Sequence, residues 1–218
     1  MALVTSYSTL KDAITEETDG RALTANLDRY IQSAEGEIKA YLHRQPVHPM
    51  RARTTISIDG EYVAAPVAMV RPIAVEVTVS DKVLYLPFTT PENLSKMQGK
   101  VTGATNPYAF SRVGSDLRFY PVPTEAFSAV LHYFQTIPAL TDSNTTTWLL
   151  DEFPNVYHAG ALYYAYRDMP DVEKASLMKS VFDDALAQVL NSYPEHDDEV
   201  TLSVDPDMIM GRWNWQTL

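Results

Sequence analysis

The stretch Trp148–Ala165, WLLDEFPNVYHAGALYYA, decides the fold. It enters a helix behind three threonines, Thr145, Thr146 and Thr147, and carries Pro154 in its first turns. Its pattern predicts one helix from about Thr147 to Arg167. Phe153, Tyr157, Ala161 and Tyr164 follow one another at helical spacing, with Val156, Gly160 and Tyr163 beside them. Ala159, Gly160, Ala161 and Ala165 are small enough to let another backbone come close. No reactive group is lined up on this helix, so it packs rather than catalyses. Phe153, Tyr157, Gly160, Ala161 and Tyr164 are its candidate packing residues.

Downstream, Asp168-Met169-Pro170-Asp171 breaks the helix and Asp171 can cap the next one. That last helix carries Ala175, Met178, Val181 or Phe182, Ala185 and Val189 on one side and ends near Tyr193-Pro194. A short loop makes the two antiparallel neighbours. Upstream, a short helix capped by Ser6 or Ser8 holds Leu10 and Ile14, and Thr18-Asp19-Gly20 stops it. A second helix carries Leu27, Tyr30, Ile31, Ala34, Ile38, Tyr41 and Leu42 in one stripe. Thr24 or Asn26 is its expected cap, and Glu35 is placed largely outside the stripe.

Between the helical parts the period changes. Thr54–Ile58, Asp59-Gly60 and Glu61–Val63 read as a hairpin with a tight turn. Ile73, Val75, Val77 and Val79 alternate along a half-buried strand, and Asp81-Lys82 turns it into Val83–Leu86. Thr90-Pro91 opens a short helix to about Met97. Tyr108–Val113 and Leu117–Tyr120 form a second hairpin, and Ala129, Leu131, Tyr133 and Gln135 line one face of the last strand. The expected fold is therefore α+β. An antiparallel bundle of about four helices (residues 1–50 and 138–194) carries an inserted antiparallel β-rich block (51–137) and an extended C-terminal arm (195–218).

The arm is apolar where it should be costly. Val200, Leu202 and Val204 alternate like a strand, Asp205-Pro206 turns, and Met208, Ile209, Met210, Trp213 and Trp215 follow. Two of the chain's three tryptophans stand here. On an extended chain Trp213 and Trp215 point the same way, as do Met208 and Met210. Fully extended, the arm spans up to about 80 Å. Val200, Leu202, Val204, Met208, Met210, Trp213 and Trp215 are its candidate partner-binding residues.

Composition narrows the function. The net charge of -11 runs against nucleic-acid binding, which calls for a basic face. From Ser180 to Gly211 there are eight acids and no lysine or arginine. Without cysteine there are no disulfides, thiolate metal sites or cysteine nucleophiles. Lys11, Asp12, Glu16 and Glu17 interrupt any apolar leader, and no stretch approaches a membrane span of ~20 apolar residues. The histidines His43, His48, His132, His158 and His196 form no metal-ligand pair. No nucleophile elbow, P-loop or dinucleotide fingerprint occurs. The expectation is no enzyme, no cofactor and no metal.

Three passages together carry a resemblance. The first is Tyr7–Ile14 followed by the Leu27–Leu42 helix ending in His43-Arg44. The second runs from Arg53 through Asp59-Gly60 to Pro66 and on into Val70-Arg71-Pro72-Ile73. The third is Ile137-Pro-Ala-Leu-Thr141, Asn144–Thr147 and Trp148–Asp151 through Gly160-Ala-Leu162. In order and spacing they resemble the head-to-tail adaptor (connector) proteins of tailed bacteriophages over about residues 5–195. The resemblance implies a structural virion protein of the neck, assembled in the host cytoplasm. It implies a ring of twelve copies beneath the portal, linking capsid to tail and lining the DNA channel. The implied partners are the portal protein, a tail or nozzle protein and copies of itself. DNA passes through without specific binding, and no membrane is involved. It also implies a C-terminal arm that docks on the portal. Two rival expectations remain from the residues themselves. A cell-wall glycan hydrolase would need two carboxylates that only the fold can pair. A monomeric binding module would fold the arm onto its own core.

Overall fold

The computed structural model describes residues 4–22, 24–79, 82–97 and 106–194. They fall into two compact units, one made of residues up to Met50 with Thr136–Pro194, the other of Arg51–Gln135.

The first unit is helical. Helix α1 (Tyr7–Glu17) starts at Ser6, whose hydroxyl accepts the Thr9 N–H while the Thr9 side chain accepts from the Ser6 N–H. Asp19 and Gly20, both at positive φ, turn the chain after it. Helix α2 (Leu27–Arg44) follows a short 3-10 turn at Thr24–Asn26. Asn26 stands at the cap position but makes no side-chain cap bond, so that turn, rather than a capping side chain, leads the chain in.

The long helix expected after Thr147 is two helices. Helix α4 (Trp148–Glu152) is capped by Thr147, whose hydroxyl accepts the Leu150 N–H at 3.2 Å. Phe153 then adopts φ -133 and ψ 59, and helix α5 (Pro154–Asp168) restarts at the proline. The proline ring pushes the preceding residue out of the helical region, and at the first position of a new helix its missing N–H costs nothing. Helix α6 (Val172–Ser192) starts at Asp171, whose carboxylate accepts the Lys174 N–H at 3.2 Å.

These helices do not make the four-helix bundle the sequence suggests. The described residues form six α-helices, with α3 (Pro91–Met97) in the other unit, alongside two antiparallel sheets. Helix α5 is a hub with α6 and α2 packed along it, whereas α1 and the short α4 touch it less. A bundle needs helices of comparable length sharing one axis, and the Phe153-Pro154 break and the short α1 deny it that. The α+β class stands.

The second unit is two antiparallel sheets over one apolar core. The larger has the order β1 (Arg51–Ile58), β7 (Phe127–Gln135), β3 (Met69–Val79), β4 (Lys82–Pro87). The smaller has the order β2 (Tyr62–Ala64), β6 (Asp116–Tyr120), β5 (Ala109–Val113). The Asp59-Gly60 segment is not a hairpin turn. β1 pairs with β7 along its whole length, Arg51 opposite Phe134 and Ile58 opposite Phe127, while β2 pairs with β6. A three-residue β2 cannot satisfy the eight residues of β1, and β7 offers a matching apolar alternation. The segment therefore carries the chain from one sheet to the other. The β3–β4 and β5–β6 hairpins form as the pattern predicts.

Alternation decides what is buried. Ile58, Val75, Val77, Leu86, Ala129, Leu131 and Tyr133 face Phe110, Leu117 and Phe119 of the smaller sheet. Phe110 and Phe119 stack with centroids 5.8 Å apart. The opposite face of the larger sheet carries Arg51, Arg53, Thr55, Ser57, Glu76, Val83, Tyr85 and His132.

Candidate functional site

Around α5 the helical unit is built to tolerances set by single residues. Gly160 is the tightest point: a Cβ added there would lie 2.9 Å from Ala34 Cβ and 2.9 Å from Phe182 Cε2. Only hydrogen at this position lets α2 and the Phe182 ring of α6 come in together. Ala161 beside it is fully buried. Tyr157 is also buried, its hydroxyl 3.3 Å from the Thr147 hydroxyl that caps α4. Burial holds the Tyr157 phenol above its ordinary range, so it stays protonated.

Tyr164 is half-buried and belongs to a polar clasp across three helices. Its hydroxyl donates to Glu37 of α2 at 2.8 Å, and Glu37 pairs with Lys179 of α6 at 3.2 Å. Lys179 also pairs with Asp183 at 2.6 Å. Burial, then the Glu37 carboxylate, pushes the Tyr164 phenol up to about 12.

Phe153 is at the α4–α5 break. Its ring meets Tyr193 edge-on at 6.2 Å, and Trp148 meets the same ring at 6.1 Å. The Tyr193 hydroxyl donates to the Glu152 carboxylate. The end of α6 is thus pinned to α4 by three aromatic rings. Of the packing residues, Tyr157, Gly160 and Ala161 share the buried interior, Tyr164 reaches its rim, and Phe153 sits apart at this corner. The arm residues Val200, Leu202, Val204, Met208, Met210, Trp213 and Trp215 lie outside the described residues.

Two groups escaped the sequence reading. Glu35 is 4% exposed, and its carboxylate accepts the Leu140 N–H at 2.6 Å. Burial raises its pKa, with the Leu140 hydrogen bond and Lys39 opposing. The signal was available: Glu35 is four residues after Ile31 and three before Ile38, inside the apolar stripe. The bond organises the loop entering α4. Within that loop Asn144 donates to the Ala139 carbonyl at 2.7 Å, and Thr145 accepts the Tyr7 N–H at 2.8 Å. His158 is the second, 6% exposed on α5 with Nε2 3.4 Å from a Glu17 carboxylate oxygen. Burial lowers its pKa, and Glu17 offsets part of that.

Among the described residues no three His, Cys, Asp or Glu side chains gather into a metal-binding group. What the arrangement does is hold helices and loops in place.

A model of the SU10 adaptor protein family matches residues 5–206. The chain belongs to that family. No curated protein matches it significantly. SU10 adaptor proteins are phage head-to-tail adaptors, structural rather than enzymatic, and their role implies contact with portal and tail proteins and a place in the virion. The adaptor match takes in both compact units, including the Glu35–Leu140 loop and the α5 hub. No helix among the described residues is long and apolar enough to cross a membrane.

Proposed function

We propose that this adaptor forms a ring, twelve copies by resemblance, beneath the portal, linking capsid to tail and lining the DNA channel. The observation that carries the reading is the adaptor-family match along nearly the whole chain. In this reading residues 1–50 and 138–194 are the helical core, 51–137 an inserted β-rich block and 195–218 a docking arm. The net charge of -11 suits a channel wall. Like charge keeps DNA from adhering as it passes.

The arm supplies the portal contact. Met208, Met210, Trp213 and Trp215 are the anchors, since tryptophan side chains commonly dominate interface energy and methionine adapts its shape to the partner. Val200, Leu202 and Val204 add main-chain hydrogen bonds along a sheet edge. The take-off point favours this use, because Trp148, Phe153 and Tyr193 fix the end of α6 just before residue 195. Electron microscopy of the protein mixed with the portal of the same particle tests the reading. A ring added to the portal supports it, and a bare portal refutes it.

A further inference from the structure

The charge of this chain is unevenly placed: residues 195–218 hold one Arg against six Asp and Glu, a net -5. Arg51–Gln135 holds eight Lys and Arg against seven Asp and Glu, a net +1. Residues 1–50 with 136–194 hold eight against fifteen, a net -7. Exposed residues on α6 and on the larger sheet bear on how copies meet.

On α6, Ala175, Phe182, Ala185 and Val189 are buried. The opposite side carries Glu173, Leu177, Val181 and Asp184 at helical spacing. Leu177 is 59% exposed and Val181 40%. Glu173 and Asp184 have no ion-pair partner among the described residues. This is a second, solvent-facing apolar stripe with an acid at each end.

On the larger sheet, the register sets Thr55, Val130, Glu76 and Tyr85 in one row from β1 to β4. Arg53 is on the same face, two residues from Thr55 on the edge strand. It is exposed and has no carboxylate partner among the described residues. At the other edge Val83 and Tyr85 are 52% and 57% exposed.

We propose that the α6 stripe of one copy packs across the outer face of the larger sheet of a second copy, with Asp184 on Arg53 and Leu177 toward Val83 and Tyr85. The dimensions agree. Four strands span roughly 14 Å, and the seven residue steps from Asp184 back to Leu177 cover about 10 Å of helix. Val181 then lies over the middle strands, near Val130. Asp184 on the helix meets Arg53 on the edge strand, so the contact joins unlike surfaces. Copies linked in this way run head to tail and close into a ring if the rotation allows. This inference rests on the adaptor reading and names the surface through which its copies meet.

The absence of cysteine makes the test clean. Full-length Thr55→Cys and Val181→Cys chains, both changed at exposed positions, are mixed at high concentration and treated with a short bis-maleimide, which bridges thiols too far apart for a disulfide. Cross-linked heterodimers should exceed either homodimer. The double variant alone should give a ladder beyond the dimer. Arg53→Glu on the Thr55→Cys chain should cut the heterodimer yield roughly tenfold, since each tenfold is 1.4 kcal/mol and facing like charges cost at least that. Asp184→Arg on the other chain should restore it. Unchanged melting curves establish that the variants are folded. Heterodimers no commoner than homodimers, or a yield indifferent to charge reversal, would overturn the contact. Rings on a portal whose subunits show no such cross-link overturn it while leaving the adaptor reading intact. Cross-linking by a chain that forms no ring on a portal does the reverse.

Discussion

Gly160 on α5 faces the Phe182 ring on α6 with no room for a methyl group between them: an added Cβ would stand 2.9 Å from Cε2 and 3.2 Å from Cδ2. Alanine normally stabilises a helix interior by up to about 1 kcal/mol relative to glycine. Here that gain is outweighed. Gly160→Ala should lower stability by about 1–3 kcal/mol, and Gly160→Leu by more, because neither Ala34 nor Phe182 can move without disturbing buried neighbours. Thermal unfolding decides it. A raised melting temperature for Gly160→Ala would place the glycine on an open face.

Glu35 and Leu140 make a second sharp prediction. Glu35→Ala strands a buried N–H and should cost about 1–3 kcal/mol, whereas Glu35→Gln keeps an acceptor at the same place and should cost less. Hydrogen exchange at the Leu140 amide gives a local readout. It should quicken in the alanine variant and stay slow in the glutamine variant. Equal protection in both would mean that the carboxylate does not hold the loop.

His158 gives the pH dependence. Its pKa is lowered in the folded chain, chiefly by burial, so between the folded value and the ordinary value near 6.5 the unfolded chain binds more protons. Stability contributed by this group is therefore full above about 6.5 and lost as the pH falls toward the folded value. The melting temperature should drop on acidification below neutrality, and His158→Gln should flatten that drop. A variant whose pH profile matches the parent would remove His158 as the cause.

Deleting residues 200–218 should leave the melting temperature nearly unchanged and abolish portal binding. A large fall in melting temperature would instead show that the arm covers its own core. Portal binding by the shortened chain would end its role as a docking arm.

The strand alternation of Val75-Val77 and Ala129-Leu131-Tyr133 was legible because a half-buried strand writes its period directly into the sequence. The cap at Asp171 was legible for the same local reason, while Ser6 was one of two candidate serines and Thr147 the last of three threonines. Pairing was not. Nothing in Asp59-Gly60 tells that β1 will choose β7, nearly seventy residues on, over its neighbour. A tight-turn signal describes what is locally cheap, and the length of β1 matched against β7 decided otherwise. The Phe153-Pro154 break was half visible: the proline is plain in the sequence, but whether it bends, starts or ends a helix depends on what α4 and α6 bring to that corner. At the candidate site the small residues announced a close approach at Gly160 without naming Ala34 or Phe182. Glu35 was misread because a charged residue inside an apolar stripe looks like the stripe's margin until its backbone partner is known.

The most direct test of the adaptor account is electron microscopy of the full-length protein mixed with the portal of its own particle. The account predicts a ring of subunits added to the tail-facing end of the portal, its wall surrounding an open channel. A portal that emerges bare, with the protein remaining free in solution, would contradict it.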